Sequence, residues 1–191
     1  MNKKGMTLME MLVSLVLISI VMIFVVNLLS DLKNEGMLSN KRNTDSLTRA
    51  SFINVIEGDL IDDTNYLTTF IQNCDQKDQE NTNSCYQFKF KNDTIKNLYI
   101  NKSFIAYGPS GSMEKWNLNY GSYDVDNISV TYVGPTKKNA PSLLTIHIPV
   151  IGVDSSAKNK FDIELTALSS TGRFTCQVCS NDTNCHACDS L

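Results

Sequence analysis

The last sixteen residues, CQVCSNDTNCHACDSL, hold the densest cluster of reactive side chains in the chain. Two C-x-x-C pairs, Cys176/Cys179 and Cys185/Cys188, stand five residues apart. Four thiolates can bind Zn²⁺ tetrahedrally, although zinc sites of this kind usually separate the pairs by about 15 to 20 residues. The same cysteines can form disulfides or exchange thiols with a substrate. The pattern leaves these three chemistries open.

Two further cysteines, Cys74 and Cys85, enclose the polar loop DQKDQENTNS. Their simplest partners are each other, and closing a loop of this length stabilises a fold by about 2 to 3 kcal/mol. The total of six cysteines is even, which favours disulfides if these residues lie outside the cytoplasm.

The pairing within the tail has three possible forms. We expect Cys176 to pair with Cys188 and Cys179 with Cys185, because the segment SNDTN can turn the chain back on itself as a hairpin. A disulfide within each C-x-x-C pair would close a small, easily reduced ring, which would indicate redox chemistry instead.

Other reactive residues give weaker signals. His147 and His186 have no acid beside them in the sequence to orient the ring, so we expect structural roles, with His186 also able to replace a metal ligand. GPSGS at 108–112 departs from the nucleophile elbow G-x-S-x-G at Ser112 and is predicted to be a turn. No catalytic residue or cofactor is predicted.

One acid, Glu10, lies at the start of a long apolar run. The run from Met11 to Leu29 has 19 residues, of which only three are polar: Ser14, Ser19 and Asn27. About 20 such residues are needed for a helix to cross a bilayer, so the run predicts a membrane segment. A carboxylate within such a segment costs about 2.5 to 3.5 kcal/mol, so Glu10 requires a partner.

The flanks of the run predict its orientation. Lys3 and Lys4 precede it with no acid beside them, which places the N-terminus in the cytoplasm and the chain after Asp31 outside. The small-residue cleavage pattern of a secretory signal does not follow the run. Because the cysteines then lie in an oxidising compartment, disulfides are favoured over metal binding and thiol exchange.

The apolar periodicity continues beyond the membrane segment. Apolar residues at steps of three and four predict one helix from about Thr7 to about Asp62, weakened at Gly36. Beyond the helix, alternating apolar and β-branched residues predict strands at 86–90, 95–100, 128–133, 143–151 and 161–168. Pro149 lies late in the fourth of these, which indicates an edge position or the end of that strand. The fold class is therefore α+β, a long N-terminal helix packed on an antiparallel sheet with a Cys-rich C-terminal tail.

Five residues after the leader charges, Gly5, Met6, Thr7, Leu8 and Glu10, resemble the type III signal of type IV prepilins. The resemblance implies that a prepilin peptidase cleaves between Gly5 and Met6 and methylates the new N-terminus. Glu10 then becomes the fifth residue of the mature chain. Its partner would be the Met6 amine of a neighbouring subunit, because two opposite charges compensate each other in a low dielectric.

The resemblance also implies an organisation and a set of partners. The partners are the membrane, other pilin or pseudopilin subunits, the prepilin peptidase, an assembly platform protein and an ATPase. The formal charge of −3 gives no basic surface for nucleic acid. The expected segments are a leader (1–5), a transmembrane half-helix (6–30), an extracytoplasmic half-helix (31–62), a β-rich globular domain (63–170) and a Cys-rich tail (171–191).

The expected function is polymerisation into a type IV pilus, or into a pseudopilus of a type II secretion or DNA-uptake machine. Met6 replaces the family's usual phenylalanine, and Ser19 and Asn27 replace helix-bending Gly and Pro, which favours a minor pilin or pseudopilin. One alternative is a membrane-anchored extracellular binding module with a Cys₄ metal knuckle. Another is a membrane-tethered thiol oxidoreductase.

Overall fold

A computed structural model of the chain describes residues 7–74, 84–134, 141–152, 162–169, 174–181 and 184–188. The chain divides into two units, residues 1–43 and 44–191. A single helix, α1 (Leu8–Leu60), confirms the long helix predicted from the periodicity. The strands are β1 (Leu67–Gln72), β2 (Ser84–Phe90), β3 (Ile95–Ile100), β4 (Phe104–Gly108), β5 (Glu114–Asn117), β6 (Gly121–Tyr123), β7 (Ser129–Val133), β8 (Ser142–Ile148), β9 (Val150–Gly152), β10 (Ile163–Ser169), β11 (Thr175–Asn181) and β12 (Asn184–Ala187).

In the first unit, α1 buries almost nothing. Apart from the half-buried Ser14, every described residue up to Thr44 is exposed. An apolar helix without a covering partner is stable in hydrocarbon rather than in water, because a water-soluble helix hides its apolar side chains.

In the second unit, α1 presents an apolar stripe to a hydrophobic core. Phe52, Ile56 and Leu60 repeat every four residues, lie on one face and are buried. The Phe52 ring meets the Trp116 ring edge-on at 5.4 Å between centroids. Side chains from the sheets complete the same core, so this stretch of α1 is held by packing.

The largest sheet has seven strands in the order β12-β11-β1-β2-β3-β4-β5. Its consecutive pairs from β1 to β5 are antiparallel, as expected, but β1 pairs with β11 in parallel, with Phe70 opposite Cys176. The sheet is therefore mostly antiparallel rather than wholly so. The parallel pair arises because the chain returns to β1 only after passing through the smaller sheets, and a crossover connection permits parallel pairing. Part of the predicted tail thus belongs to this sheet.

Two smaller sheets contain the remaining strands. One has the order β10-β8-β7, and the other pairs β6 with β9. Pro149 separates β8 from β9, because proline has no N–H to donate to a ladder. The Pro149 carbonyl accepts a hydrogen bond from the Asp124 N–H at 2.8 Å. The prediction that Pro149 marks an edge position or a strand end is confirmed for a strand end, and the single strand predicted at 143–151 is two strands, β8 and β9.

Candidate assembly site

Glu10 and Thr7 form a reciprocal contact at the beginning of α1. The Thr7 backbone N–H donates to Glu10 Oε2 at 2.9 Å, and the Thr7 hydroxyl donates to the same oxygen at 3.1 Å. The Glu10 N–H lies 3.4 Å from Thr7 Oγ1. This is a capping box, in which a threonine and an acid three residues later satisfy helix N–H groups that have no partner within the helix. The carboxylate is therefore engaged within its own chain.

The two serines of the apolar run are also satisfied locally. Ser14 Oγ donates to the Glu10 carbonyl at 2.6 Å, and Ser19 Oγ donates to the Leu15 carbonyl at 2.8 Å. Because each serine hydroxyl donates to a carbonyl of the preceding turn, its hydrogen needs no other acceptor in the hydrocarbon of a membrane. Leu8, the first residue of α1, is 79% exposed. Gly5 and Met6, the predicted processing site, lie outside the described residues.

By length and composition, α1 can cross a membrane. An 18-residue window within it has a mean hydropathy of 3.0 and is not buried within the chain. The span predicted from the sequence is therefore present as a continuous helix with its apolar surface uncovered.

Both ends of the packed part of α1 are fixed by acids. Asp45 is buried, and its carboxylate accepts three backbone N–H groups, from Asn119 at 2.7 Å, Tyr120 at 2.8 Å and Gly121 at 3.2 Å. These three donors precede or begin β6, so Asp45 ties the helix to that connection. No sequence pattern marked this acid, because its donors lie more than 70 positions further on.

At the other end, Asp59 Oδ2 accepts a charged hydrogen bond from Lys96 Nζ at 2.6 Å. The Lys96 ammonium also lies over the Phe90 and Tyr107 rings, at 5.9 and 5.6 Å from their centroids. Burial raises the pKa of the Tyr107 phenol well above its usual range, and the negative charge of Asp59 adds to the effect. The phenol therefore stays neutral, and its ring packs in the hydrophobic core.

The six cysteines form three disulfides: Cys74–Cys85, Cys176–Cys188 and Cys179–Cys185. The last two are nested, and both join β11 to β12 or the residue after it. This is the pairing expected from the SNDTN turn. Cys176 and Cys179 are buried, whereas the described side chains of β12 are exposed. The two nested disulfides therefore link the exposed edge strand β12 to its neighbour β11 in the large sheet.

Because all six cysteine sulfurs are in disulfides, none of them is a thiolate that could bind Zn²⁺ in this oxidised form. Within the part of the chain that the structure describes, no group of three or more His, Cys, Asp or Glu residues could hold a metal ion.

The remaining sequence candidates have ordinary surroundings. His147 Nε2 lies 3.2 Å from Asp162 Oδ2, and both side chains are more than a third exposed. The sequence did not indicate this acid, because Asp162 lies fifteen residues after His147. The two side chains come together only when β10 pairs with β8. His186 lies exposed on β12. The Ser112 N–H donates to the Pro109 carbonyl at 3.0 Å, which confirms a turn there.

The model of one family, described as the prokaryotic N-terminal methylation motif, matches residues 1–26. The chain carries the type IV prepilin signature. The match contains the apolar start of α1 and the Thr7/Glu10 capping box. No curated protein and no solved structure matches the chain.

The prepilin signature and the membrane-capable helix together support a type IV pilin-like subunit. The signature points to a structural subunit, and together with the apolar helix it suggests a membrane-anchored subunit of a surface filament. The signature implies contact with other pilin subunits and with the prepilin peptidase.

Proposed function

We propose that the chain is a minor pilin or pseudopilin that polymerises into a type IV pilus, or into a pseudopilus of a type II secretion or DNA-uptake machine. The prepilin signature at residues 1–26 is the observation that carries this proposal. Two departures support a minor subunit: Met6 at the first mature position, and Ser19 and Asn27 where helix-bending residues are usual.

In this proposal the prepilin peptidase removes residues 1–5 and methylates Met6. Lys3 and Lys4 hold the N-terminus in the cytoplasm, so the second unit folds and is oxidised on the other side. Residues 6–30 form the transmembrane part of the helix and residues 31–62 its continuation. An assembly platform protein and an ATPase drive the incorporation of subunits.

Glu10 selects the register of assembly in this mechanism. In the isolated chain, Oε2 already accepts both Thr7 donors. An ionised carboxylate offers about four lone-pair sites, so the same group can also take the Met6 ammonium of a neighbouring subunit. Two charges in a low dielectric are stabilised only when paired, so a subunit in the wrong register is disfavoured.

The first test is processing. Gly5→Leu should leave a precursor that retains Lys3 and Lys4, because the peptidase requires a small residue at the scissile bond. Gly36→Leu is the matched control, since a side chain at Gly36 meets nothing within 4 Å. Mass spectrometry of the membrane fraction reads the outcome. An unaltered chain that retains residues 1–5 in cells with an active peptidase would contradict the proposed function.

The second test is assembly. Glu10→Val should insert into the membrane at least as well as the parent chain, because a costly charge is removed. It should nevertheless enter filaments poorly, because the ammonium of the neighbour loses its partner. Glu10→Asp should be intermediate, since its carboxylate is one methylene shorter. Immunoblots of sheared filaments give the incorporated fraction, and parental incorporation of Glu10→Val would refute the ion-pair mechanism.

A further inference from the structure

The two edge strands of the seven-stranded sheet, β5 and β12, differ in how they are protected. A sheet edge presents N–H and C=O groups to which another extended chain can bind, and proteins commonly block it with charged side chains. The β5 edge follows this rule, because Glu114 and Lys115 are both exposed. β12 has the same length, four residues, but Asn184–Ala187 contains no acid, lysine, arginine or proline. Among the described residues β12 pairs with β11 alone, so its outer edge is open.

The ladder between β11 and β12 determines which backbone groups face outward. In an antiparallel pair, residues that bond to the partner strand alternate with residues whose groups point away, at Cα separations of about 5.5 and 4.5 Å. The Cys188 N–H donates to the Cys176 carbonyl at 3.0 Å, and their Cα atoms lie 5.3 Å apart. The Cα atoms of Cys179 and Cys185 lie only 4.0 Å apart, so this pair is of the second kind. The N–H and C=O groups of Cys185 and Ala187 therefore point away from β11.

Disulfides hold β12 in place although it buries little surface. The side chains of residues 185–187 are exposed, so packing against the core does not fix the strand. Instead, Cys179–Cys185 joins its middle to β11, and Cys176–Cys188 joins the residue after it. A strand that is already fixed loses less conformational entropy when it pairs with another chain. β12 is therefore built as a preformed edge for pairing.

We propose, independently of the filament function, that the β12 edge binds an extended, uncharged segment of another protein, which adds to the large sheet as a further strand. The outward groups of Cys185 and Ala187 repeat at about 6.8 Å, twice the rise of an antiparallel strand. An extended backbone offers donors and acceptors at the same repeat, which is how peptides add to sheet edges. The segment is uncharged where it pairs, because Asn184–Ala187 has no carboxylate or ammonium to compensate a desolvated charge.

A second copy of the chain is a poorer occupant of this edge than a segment of another protein. Each copy has a formal charge of −3, so two copies repel each other on approach. The same charge attracts a segment that carries basic residues on either side of its uncharged centre. The preferred partner is therefore a β-forming stretch with lysine or arginine at its ends.

A synthetic peptide, KTVTVTK, tests the proposal. Its centre is uncharged and favours a strand, and its lysines complement the acidic chain. The full oxidised chain, isotope-labelled and in detergent micelles, is titrated with this peptide and followed by NMR. The amide signals of Cys185 and Ala187 should shift to saturation, whereas a peptide N-methylated at every central residue should shift neither. Absence of a saturable shift, or equal shifts with the methylated peptide, would overturn the proposal. The same shifts on concentrating the chain without peptide would show that a second copy occupies the edge, and would overturn the choice of partner.

Two proline variants separate binding from folding. Ala187→Pro removes an outward N–H, which an edge strand tolerates, so the thermal midpoint should equal that of the parent chain while the affinity for KTVTVTK falls about tenfold. His186→Pro is the matched control, because the ladder directs the His186 N–H to β11 and its loss should lower the midpoint. Parental affinity of Ala187→Pro would overturn the proposal. A midpoint of Ala187→Pro as low as that of His186→Pro would also overturn it, because the Ala187 N–H would then bond within the hairpin.

Discussion

Replacement of Asp45 by alanine should destabilise the second unit more than removal of any exposed acid. Asp45 is only 7% exposed, and its carboxylate accepts the N–H groups of three consecutive residues, 119 to 121. Alanine leaves those donors without their acceptor in a place that water reaches poorly. Asp45→Asn keeps one oxygen but turns an amide N–H₂ toward the same donors, so it should be intermediate.

The magnitude follows from the contacts. A hydrogen bond to a charged group contributes about 1.5 to 3 kcal/mol, and a donor left unsatisfied loses its full desolvation energy. The three bonds share one carboxylate and the connection can relax, so they do not add. We expect a loss of about 3 to 4 kcal/mol. At roughly 2 to 4 °C per kcal/mol for a chain of this size, the midpoint should fall by about 6 to 16 °C.

Thermal unfolding of the full chain in detergent micelles, followed by near-ultraviolet circular dichroism, measures the effect. Asp93→Asn is the matched control, because Asp93 pairs with Lys89 at 3.2 Å while its side chain is 85% exposed, and asparagine tolerates the φ of 61° at this position. Exposed pairs of this kind contribute about 0 to 1 kcal/mol. A midpoint for Asp45→Ala equal to that of Asp93→Asn would refute the anchoring role of Asp45.

Three further predictions concern other contacts. Thr7→Val removes the hydroxyl that caps α1 and should reduce filament incorporation, while Thr7→Ser, which keeps the hydroxyl, should preserve it in the same sheared-filament assay. The double variant Cys179→Ala/Cys185→Ala should lose about 2 kcal/mol in guanidinium unfolding, and an unchanged midpoint would contradict this expectation. Hydrogen bonds from the Thr64 side chain and backbone lower the pKa of Asp62, so its contribution to stability is present above the ordinary aspartate pKa and is lost as pH falls through the lowered value. Asp62→Asn should therefore reduce the fall in midpoint between pH 7 and pH 3, and an identical fall in parent and variant would refute that contribution.

Much of the fold was predictable because the signals are local. The apolar steps of three and four residues predicted α1, and alternation predicted β2, β3, β7, β8 and β10. β1, β4, β5 and β6 were not predicted; LTTFIQ of β1, for example, has β-branched residues but no regular alternation of apolar and polar positions. The parallel pairing of β1 with β11 was beyond prediction, since it joins segments about 100 residues apart and no local pattern encodes a crossover.

The candidate site was predictable to a smaller extent. The spacing of Gly5, Met6 and Glu10 indicated processing and assembly, and the T-x-x-E spacing of Thr7 and Glu10 is a helix-start signal that periodicity analysis passed over. Asp45 was beyond prediction, because an isolated aspartate in a polar stretch is ordinarily solvated. Only the folded chain brings the 119–121 connection to it.

The capping box changes how the energetics of Glu10 should be understood. If the carboxylate had no contact before assembly, pairing with an amine would recover its whole desolvation energy. Since Thr7 already donates twice to Oε2, part of that energy is recovered within the single chain. In the proposed pairing with a neighbour, assembly therefore gains only the difference between the capped carboxylate and the carboxylate paired with an amine. A smaller difference makes each docking step more readily reversible, so the capping box would favour exchange of subunits over irreversible docking.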